Sequence, residues 1–405
     1  MDCKILALSV PYISMIVVFL SDIGWYGLHQ RPQHIALALA KQWRILWIQP
    51  ATLGTKSVSL PELVSPNIYQ LTVPAIPYNA RSRTIRKLAG FFGSIGLFRK
   101  FVTMNQSRLL KRALKQIGEP QEKTGAVVHN FQLVDLLDTL HPSFMLFDYL
   151  DNVFGFTALP DHLTDSWKKA IRLADAITVT SPTLQKHIEQ VRSDNIHLVG
   201  NGVEYDLFAK IPSSERPADL PLGKTIIGYV GAVYPWLDYE LIRYSADAMP
   251  ECEFVFIGPT HPDVAGVIKS LRQKPNIKFL GLKKYQQIPS YLRWFDAGII
   301  PFQRNELTVA VNPVKLYEYS AAGVPTVVTD FSDDLHQFKG AIFIAQSKND
   351  FVAGLRQAVE KRSNVSFRTS IQSFAREHDW DSKTSMIIQL IHNQLASGNK
   401  TAKEL

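Results

Sequence analysis

Short apolar runs rich in β-branched residues alternate with helical patterns along almost the whole chain of 405 residues. Strands joined in this way run parallel, because each crossover helix carries the chain back to the same edge of its sheet. The sequence therefore predicts an α/β protein with parallel, doubly wound sheets. We expect the strands at Ile16–Phe19, Ile45–Ile48, Ile68–Leu71, Ala126–His129, Phe144–Phe147, Ala176–Thr180 and Ile196–Leu198 in the first half, and at Thr225–Val230, Glu253–Ile257, Ile277–Leu280, Ala297–Ile300, Thr326–Val328 and Ala341–Ile344 in the second.

The chain is long enough for two or more domains. Between the two series of strands lies Phe208–Gly223 (FAKIPSSERPADLPLG), which is proline-rich, polar and aperiodic, as an interdomain linker would be. We therefore expect a first domain over residues 1–207, a linker over 208–223 and a second domain from residue 224. Two Rossmann-like domains joined at this point would face each other across a cleft.

The composition is that of an ordinary globular protein, with 46% hydrophobic and 20% charged residues. Cys3 and Cys252 are too few for a disulfide framework or a cysteine-rich zinc site, which indicates a reducing compartment. The apolar run Ile5–Leu20 is shorter than a membrane span and contains Pro11. We expect its second half, Met15–Leu20, to be a buried strand.

The net charge of +8 comes from the first part of the chain, since residues 1–150 hold 16 Lys and Arg against 8 Asp and Glu. Most of this excess lies in Arg81–Lys115, which contains no acidic residue and interleaves its cations with phenylalanines and leucines. One interpretation is binding to an anionic membrane surface. The other is a solvated helical face whose aromatic side chains pack into the core. No nucleic-acid-binding motif accompanies the charge, so a nucleic-acid partner is not expected.

A strand-to-helix corner in the second half carries the strongest indication of a ligand site. In Val311–Thr329 (VNPVKLYEYSAAGVPTVVT), Lys315 and Glu318 lie three residues apart at the opening of a helix, and hence on one face. A phosphate would gain there from the lysine charge and from the helix N-terminus, and ligands of such folds bind outside the carboxyl ends of the strands. The alternative is an ordinary solvated pair. The corner favours a nucleotide-diphosphate site.

Four segments match those of one enzyme family in order and spacing. Asn201–Glu204 (NGVE), followed by Phe208, resembles the signature at the end of that family's first domain. Ile227–Tyr234 (IGYVGAVY) resembles the first strand and glycine loop of its donor domain, and Asn276–Tyr291 resembles the segment that meets the nucleotide base. Val311–Thr329 resembles its ribose and phosphate corner. Together they resemble the GT-B glycosyltransferases of the family-four type, the glycosyl transferases group 1.

A finer resemblance, to glycosyltransferases of teichuronic acid and exopolysaccharide biosynthesis, rests on Gly24–Ala36 (GWYGLHQRPQHIA), the stretch LFDYLDNVFGF and Trp236–Tyr239. The resemblance implies a donor domain over residues 224–372 and a C-terminal helix, within residues 373–405, that packs back on the first domain. It implies a cytoplasmic, metal-independent transferase of the hexosyltransferase type. The donor would be a nucleotide-diphosphate sugar, of the UDP type, with no further cofactor. The acceptor would be a cell-envelope polysaccharide or lipid-linked precursor, with the enzyme peripheral on the inner face of the membrane.

On the donor side, the resemblance implies that Glu318 accepts hydrogen bonds from the ribose hydroxyls. The family has an earlier glutamate where this chain has Ala310, and it carries basic residues in its glycine loop where this chain has Ala232–Asp238. A buried diphosphate without a cation would be costly, so Lys315 is expected to supply the charge. The expected donor contacts are Gly231, Gly281, Leu282, Asn312, Val314, Lys315 and Glu318.

On the acceptor side, His129 resembles the histidine that the family points at the donor sugar, with a purely structural role as the alternative. Asp148 and Asp151 flank the end of the following strand, where either could take the proton of the acceptor hydroxyl in an inverting reaction. Asp151 is favoured because it lies further past the strand. The loop after the first strand either contacts donor phosphate or acceptor, or is a turn packed on the sheet. Its candidate residues are Gly24, Trp25, Gly27, Arg31 and His34.

Three rival functions share parts of this pattern. A non-catalytic nucleotide-sugar-binding or scaffold protein would explain the missing glutamate at Ala310. A sugar-nucleotide epimerase would need no acceptor. A nicotinamide-dependent dehydrogenase is disfavoured, because no Gly-x-Gly-x-x-Gly follows any predicted strand.

Overall fold

The computed structural model describes residues 15–26, 29–51, 60–78, 83–118, 122–155, 160–210 and 216–401. The chain forms two compact units. The first contains the described parts of Met1–Asp148, Leu159–Ile177 and Ile388–Leu405, and the second contains those of Tyr149–Ala158 and Thr178–Ile387. Each unit is built around a parallel sheet, so the predicted α/β fold class with two Rossmann-like domains is confirmed.

The first sheet has eight strands, of which the central one is fully buried. They are β1 (Met15–Leu20), β2 (Arg44–Pro50), β3 (Glu62–Ser65), β4 (Ile68–Val73), β5 (Lys123–Val128), β6 (Met145–Tyr149), β7 (Ala176–Val179) and β8 (Ile196–Leu198), in the order β3-β4-β2-β1-β5-β6-β7-β8. β1 pairs in parallel with β2 and β5, so the prediction of an internal strand at its residues is confirmed. The sequence analysis missed β3, a four-residue antiparallel edge strand with no apolar alternation.

The second sheet has six strands, and every pairing in it is parallel. They are β9 (Thr225–Val230), β10 (Cys252–Ile257), β11 (Ile277–Gly281), β12 (Ala297–Ile300), β13 (Thr326–Thr329) and β14 (Ile342–Ala345), in the order β11-β10-β9-β12-β13-β14. The strand order reverses between β9 and β12. In open parallel sheets this is the point at which ligands bind, at the carboxyl ends of the strands.

Helices connect and cover the strands. They are α1 (Arg31–Leu39), α2 (Arg83–Ser94), α3 (Gly96–Ile117), α4 (Leu137–Leu140), α5 (Asp161–Leu173), α6 (Pro182–Glu189), α7 (Tyr205–Ala209), α8 (Tyr239–Ala248), α9 (Ala265–Leu271), α10 (Ile288–Leu292), α11 (Val314–Ala321), α12 (Lys348–Lys361), α13 (Val365–Glu377) and α14 (Trp380–Thr401). Within the described part of the chain, none of them is both long and apolar enough to cross a membrane.

Side-chain caps determine where helices begin. Ser181 accepts a hydrogen bond from the N–H of Leu184 at 3.3 Å and starts α6. Asp238 accepts one from the N–H of Leu241 at 2.8 Å and starts α8. Such caps satisfy N–H groups that have no partner within the helix, and each contributes about 1 kcal/mol. Asp238 thus sets the start of the helix that follows the Gly231 loop.

The boundaries of the two units differ in detail from the domain boundaries predicted from the sequence. Phe208 and Leu220, within the predicted linker, are buried in the core of the second unit. α13, which a boundary after residue 372 would divide, also lies in the second unit. α14 belongs to the first unit from Ile388 onward, where His392 Nε2 lies 2.9 Å from Gln42 Oε1. The expected return of the C-terminal helix to the first domain is confirmed.

The centre of the second sheet leaves no room for a side chain at Gly228 in β9. A Cβ at that position would lie 1.9 Å from Cε2 of Phe295, which is fully buried. We predict that Gly228→Ala lowers the Tm by several degrees, because overpacking a core costs about 1–3 kcal/mol. Gly266→Ala is the matched control: its Cβ would meet nothing within 4 Å, and thermal unfolding should show an equal or higher Tm. Equal losses for both variants would contradict the packing argument.

Candidate functional site

Lys315 and Gly231 form the centre of the candidate donor-side site in the second unit. Lys315 lies in the first turn of α11, and its Nζ is 5.5 Å from the ring centroids of both Tyr229 and Phe302. Gly231 follows β9 with a φ of +142°, and a Cβ there would lie 2.2 Å from Cε of Lys315. The lysine side chain therefore occupies space that exists only because residue 231 is glycine.

Some of the backbone N–H groups near this lysine already donate hydrogen bonds within the second sheet. The N–H of Gly231 donates to the carbonyl of Ile257 at 2.8 Å. This glycine can therefore leave space for a ligand, but its N–H is already used. Val314 is the first residue of α11, where helix geometry leaves N–H groups without partners inside the helix. The N-terminus of α11 is therefore better suited than the glycine loop to meet an anion beside Lys315.

Glu318 lies on the same face of α11 and is buried. Burial raises the pKa of its carboxyl to about 7, with Lys315 lowering it and Glu204 raising it. Burial also raises the pKa of the Tyr285 hydroxyl, with further contributions from Glu318 and Glu204. The charges of Glu318 and Glu204 thus both act on the Tyr285 hydroxyl within the second unit. The predicted pair is not the solvated surface pair that the sequence left open as an alternative.

Asp151 is a second carboxylate whose charge acts on Lys315. Burial lowers the pKa of Lys315, and the charges of Glu318 and Asp151 raise it back in part. The segment that carries Asp151 is held in place by Asn152, whose Nδ2 donates to the carbonyl of Glu306 at 2.8 Å. The charges of Asp151 and Glu318 thus both act on Lys315 within the second unit, although Asp151 is far from the other two in sequence.

Ala310 occupies the position at which the family's first glutamate is expected. It is completely buried, and its carbonyl accepts a hydrogen bond from Oγ of Ser181 at 2.9 Å. A charged side chain at this position would have to be buried, which is costly without a partner. The acidic groups that face Lys315 are thus Glu318 and Asp151.

Asn312 holds the start of α11 in place. Its Oδ1 accepts hydrogen bonds from the N–H of Asn201 and from the hydroxyl of Tyr317, both at 3.0 Å. Its carbonyl accepts a third from Nδ2 of Asn201 at 2.7 Å. The NGVE signature is therefore tied directly to the phosphate corner, and a ligand would have to share the Asn312 side chain with these partners.

Gly281 ends β11 at the carboxyl edge of the second sheet, and Leu282 follows it. Gly281 has a φ of +73°, and its carbonyl accepts a hydrogen bond from the N–H of Gly258 at 2.9 Å. Leu282 exposes 62% of its surface. An exposed apolar side chain at a strand end, next to a backbone turn, is suited to cover a planar base.

In the first unit, Arg31 and Asp148 form a buried bidentate pair. Arg31 Nε donates to Asp148 Oδ2 at 2.9 Å, and Nη2 donates to Oδ1 at 2.8 Å. Since both side chains are at most 2% exposed, opening this pair would leave a charge buried without a partner. Asp148 is therefore poorly placed to act as a base, which leaves Asp151 of the two carboxylates. Likewise, the predicted contact of Arg31 with phosphate or acceptor would require the pair to open.

His129 lies against this pair as a neutral ring. Its Nε2 is 3.3 Å from Asp148 Oδ2, and its ring stacks on Phe19 at 4.9 Å. Burial lowers the pKa of His129, and Asp148 opposes that shift only in part. The surroundings are those of a structural histidine, the alternative that the sequence left open, although neither ring nitrogen has a hydrogen-bond partner among the described residues.

The loop after β1 packs on the first sheet. The N–H of Trp25 donates to Oε1 of Gln49 at 2.9 Å, and the carbonyl of Gly24 accepts from Nε2 of Gln33 at 3.2 Å. His34 is buried, and burial, followed by the neighbouring His29, lowers its pKa to about 2. This side of the loop is thus a neutral, packed turn. Gly27 lies outside the described residues.

The sequence analysis did not single out a polar recess in the first unit. It has a volume of about 60 Å³ and is lined by side chains of α3, α5 and the end of β5, with Tyr78 OH 2.5 Å from His162 Nε2. Burial raises the pKa of Tyr78 to about 12, while Arg99 lowers it. No motif marks this recess, because its members come from four distant parts of the chain.

The chain contains one Asp-x-Asp triplet, Asp379-Trp380-Asp381. Asp379 Oδ2 accepts a hydrogen bond from the N–H of Tyr205 at 2.9 Å, and Oδ1 accepts one from the N–H of Asp381 at 2.8 Å. One oxygen of Asp379 thus binds the first residue of α7 and the other binds a residue in the first turn of α14, which is a structural role.

Comparison with known proteins agrees with this geometry. The family described as glycosyl transferases group 1 matches residues 224–361, which include Gly231, Lys315 and Glu318. Residues 224–361 resemble a group 1 glycosyltransferase domain. A protein of Bacillus subtilis strain 168, provisionally named as the teichuronic acid biosynthesis glycosyltransferase TuaH, is 28% identical over 222 residues. That match covers 53% of this chain and 55% of TuaH, so the chain spans about half the length of the curated relative it matches.

Solved structures of GT-B glycosyltransferases share the fold. Sucrose-phosphate synthase from Thermosynechococcus elongatus has a TM-score of 0.69 at 15% identity, over 95% of this chain and 100% of that one. An E. coli structure described as trehalose-6-phosphate bound with UDP-2-fluoro glucose has a TM-score of 0.66 at 12% identity, over 92% and 98%. At these identities the likeness establishes the GT-B fold alone.

The pKa of Glu318 gives a pH-dependent test of its surroundings. A carboxyl with a folded pKa near 7 and an unfolded pKa near 4.5 stabilises the protein fully below pH 4.5, and this contribution is lost as the pH rises through 7. We predict that the Tm of Glu318→Gln, relative to the wild type, increases between about pH 5 and about pH 8. The exposed Glu360→Gln serves as the control and should show a constant difference. A constant difference for Glu318→Gln as well would contradict the burial argument.

Proposed function

We propose that the protein is a metal-independent glycosyltransferase of the hexosyltransferase type. It would move a sugar from a nucleotide-diphosphate sugar, of the UDP type, to a hydroxyl of a cell-envelope polysaccharide or lipid-linked precursor. The observation that carries this proposal is the position of Lys315, held over Gly231 at the carboxyl edge of the sheet and one helical turn from a buried glutamate.

The donor would bind along the carboxyl edge of the second sheet. Its diphosphate would meet the Lys315 amine and the N-terminus of α11, and this added negative charge would favour the protonated amine. The ionised carboxylate of Glu318 would accept hydrogen bonds from the ribose hydroxyls. The base would lie against Gly281 and Leu282. The UDP-2-fluoro glucose bound by the E. coli neighbour supports a uridine donor by likeness of fold.

In the transfer, the bond between the sugar C1 and the diphosphate oxygen breaks, and the acceptor oxygen forms a new bond to C1. Lys315 stabilises the charge of the leaving diphosphate, which is the role that a metal ion has in other such sites. Asp151 takes the proton of the acceptor hydroxyl if the reaction inverts C1. Of the two carboxylates considered, Asp151 is supported because Asp148 is occupied by Arg31.

The relative TuaH supports an acceptor of the cell envelope. Because such acceptors are carried at membranes, we place the enzyme in the cytoplasm, peripheral on the inner face of the membrane through Arg81–Lys115. The second candidate is a non-catalytic nucleotide-sugar-binding or scaffold protein, which the buried Ala310 favours. Turnover of the donor sugar separates the two, and products formed from the donor alone would indicate an epimerase.

Nucleotide binding tests the site first. We predict that one nucleoside diphosphate among the uridine, guanosine and adenosine series raises the Tm, and that Lys315→Ala removes this increase because it removes the cation facing the phosphates. Glu318→Ala should weaken it through the ribose. Lys269→Ala, on the exposed side of α9, is the control and should leave the increase unchanged. No increase with any nucleotide would contradict the proposed donor site.

Asp151→Asn separates chemistry from binding. The substitution removes the proposed base and also a negative charge that faces Lys315. We predict that transfer to the acceptor falls about 100-fold or more, while the Tm increase caused by the diphosphate stays the same or grows. The exposed Asp263→Asn should change neither quantity. Full transfer activity in Asp151→Asn would exclude it as the base.

A further inference from the structure

The helices α2 and α3 expose two apolar stripes. On α2 and the residue that follows it, Leu88, Phe91, Phe92 and Ile95 recur with the spacing of one helical face. On α3, an equivalent stripe is formed by Leu97, Phe101 and Met104. The side chains are far from buried: Phe91 is 64% exposed, Leu97 80% and Phe101 56%. Exposed aromatic and aliphatic residues at this density indicate an interaction surface.

The two stripes form one continuous surface. The rings of Phe91 and Phe92 are 5.4 Å apart, and Phe92 lies 5.5 Å from Phe98 of α3. Arg99 Nη1 donates to the carbonyl of Gly93 at 2.6 Å and so joins the end of α2 to the start of α3. We call the pair α2 and α3, with the residues between them, the apolar hairpin.

The exposed stripes are not the faces by which α2 and α3 pack on the core, because each helix buries a different set of residues. α2 buries Ala89 and Gly93, and a Cβ on Gly93 would lie 2.1 Å from the hydroxyl of Tyr78. α3 buries Gln106, Leu110, Ala113 and Ile117, which lie between its midpoint and its end. The interpretation in which the aromatic residues of this segment pack into the core is therefore wrong for the stripes.

The charges around the hairpin indicate what kind of partner binds to it. Residues 81–115 contain ten Lys and Arg and no acidic residue. Lys100, Arg108 and Lys111 are exposed on α3, and Arg108 Nη2 lies 3.7 Å from the sulfur of Met104 at the edge of the stripe. A second copy docked on the same face would place cations against cations, because a two-fold interface pairs a surface with itself. An anionic surface that also accepts apolar side chains matches both features.

We infer that the apolar hairpin inserts into the interface of an anionic lipid bilayer. The stripes would enter the boundary between headgroups and acyl chains, while the flanking Lys and Arg contact lipid phosphates. The inference deepens the proposed function, which already includes membrane binding through Arg81–Lys115, because it names the class of lipid and the apolar residues that enter it. It rests on that function only for the nature of the acceptor, because lipid binding is measurable without turnover.

Co-sedimentation of the full chain with vesicles tests the insertion. Wild-type protein should bind phosphatidylglycerol vesicles and bind phosphatidylcholine vesicles at least about tenfold more weakly. The triple variant Phe91→Ser, Leu97→Ser and Phe101→Ser should lose about tenfold or more in affinity for phosphatidylglycerol. Its matched control replaces three exposed apolar residues of the second unit, Leu222→Ser, Val365→Ser and Met386→Ser, and should bind as the wild type does.

A second set of variants separates the charge from the apolar contact. Lys100→Gln, Lys111→Gln and Lys115→Gln together should weaken binding at low salt and make the remaining binding less salt-dependent. The same change at Lys269, Lys339 and Lys361, exposed on the second unit, should have little effect. Equal effects of both lysine sets would overturn the inference, because attraction by the overall charge of the protein would then suffice.

The competing occupant gives a distinct result. If wild-type protein fails to sediment with phosphatidylglycerol vesicles, but self-associates in a way that the triple variant abolishes, the hairpin is an interface between copies and the inference is wrong. The Tm increase with nucleotide, measured on the same variants, reports on the proposed donor site independently. Failure of the wild-type protein to bind phosphatidylglycerol vesicles, together with an intact nucleotide response, thus rejects the hairpin inference alone.

Discussion

The partial burial of the Lys315 side chain is the constraint on which the candidate donor-side site depends. A buried ammonium is stable only with compensating charges or rings around it, and the second unit supplies both. Glu318 lies on the same helix, Asp151 comes from a distant segment, and the rings of Tyr229 and Phe302 are each 5.5 Å from the nitrogen. A diphosphate bound there would meet a cation whose surroundings are already organised, so little rearrangement would be needed on binding.

Charged side chains away from solvent are paired differently in the two units. In the first unit, Arg31 and Asp148 satisfy each other with two hydrogen bonds and are sealed from solvent. In the second unit, one lysine faces two carboxylates, and burial raises the pKa of Glu318 to about 7. A closed pair stabilises an arrangement, whereas an unequal group of charges responds to the arrival of another charge. The second kind of arrangement is typical of functional sites.

The sequence predicted the fold well because parallel strands buried on both faces leave continuous apolar runs, and all six strands of the second sheet were found this way. It missed β3, whose exposed edge position imposes no apolar pattern. It located Lys315 and Glu318 because their roles follow from spacing on one helix. It could not show that Arg31 is bound to Asp148, since residues 117 positions apart meet only through the order of β1, β5 and β6. The sequence also could not show that the apolar residues of the hairpin are exposed, because helical periodicity does not reveal which face of a helix meets the core.

The contact between Lys315 and Gly231 makes the two positions interdependent. Any side chain at residue 231 would enter the volume of the lysine, since even a Cβ would lie 2.8 Å from Nζ. A shorter residue at 315 would release that volume, but the φ of +142° at residue 231 would still favour glycine there. The lysine therefore adds a second requirement for glycine to the one that the backbone already sets. Across natural variants, a lysine at the position of Lys315 should be accompanied by glycine at the position of Gly231, whereas glycine can be present without the lysine.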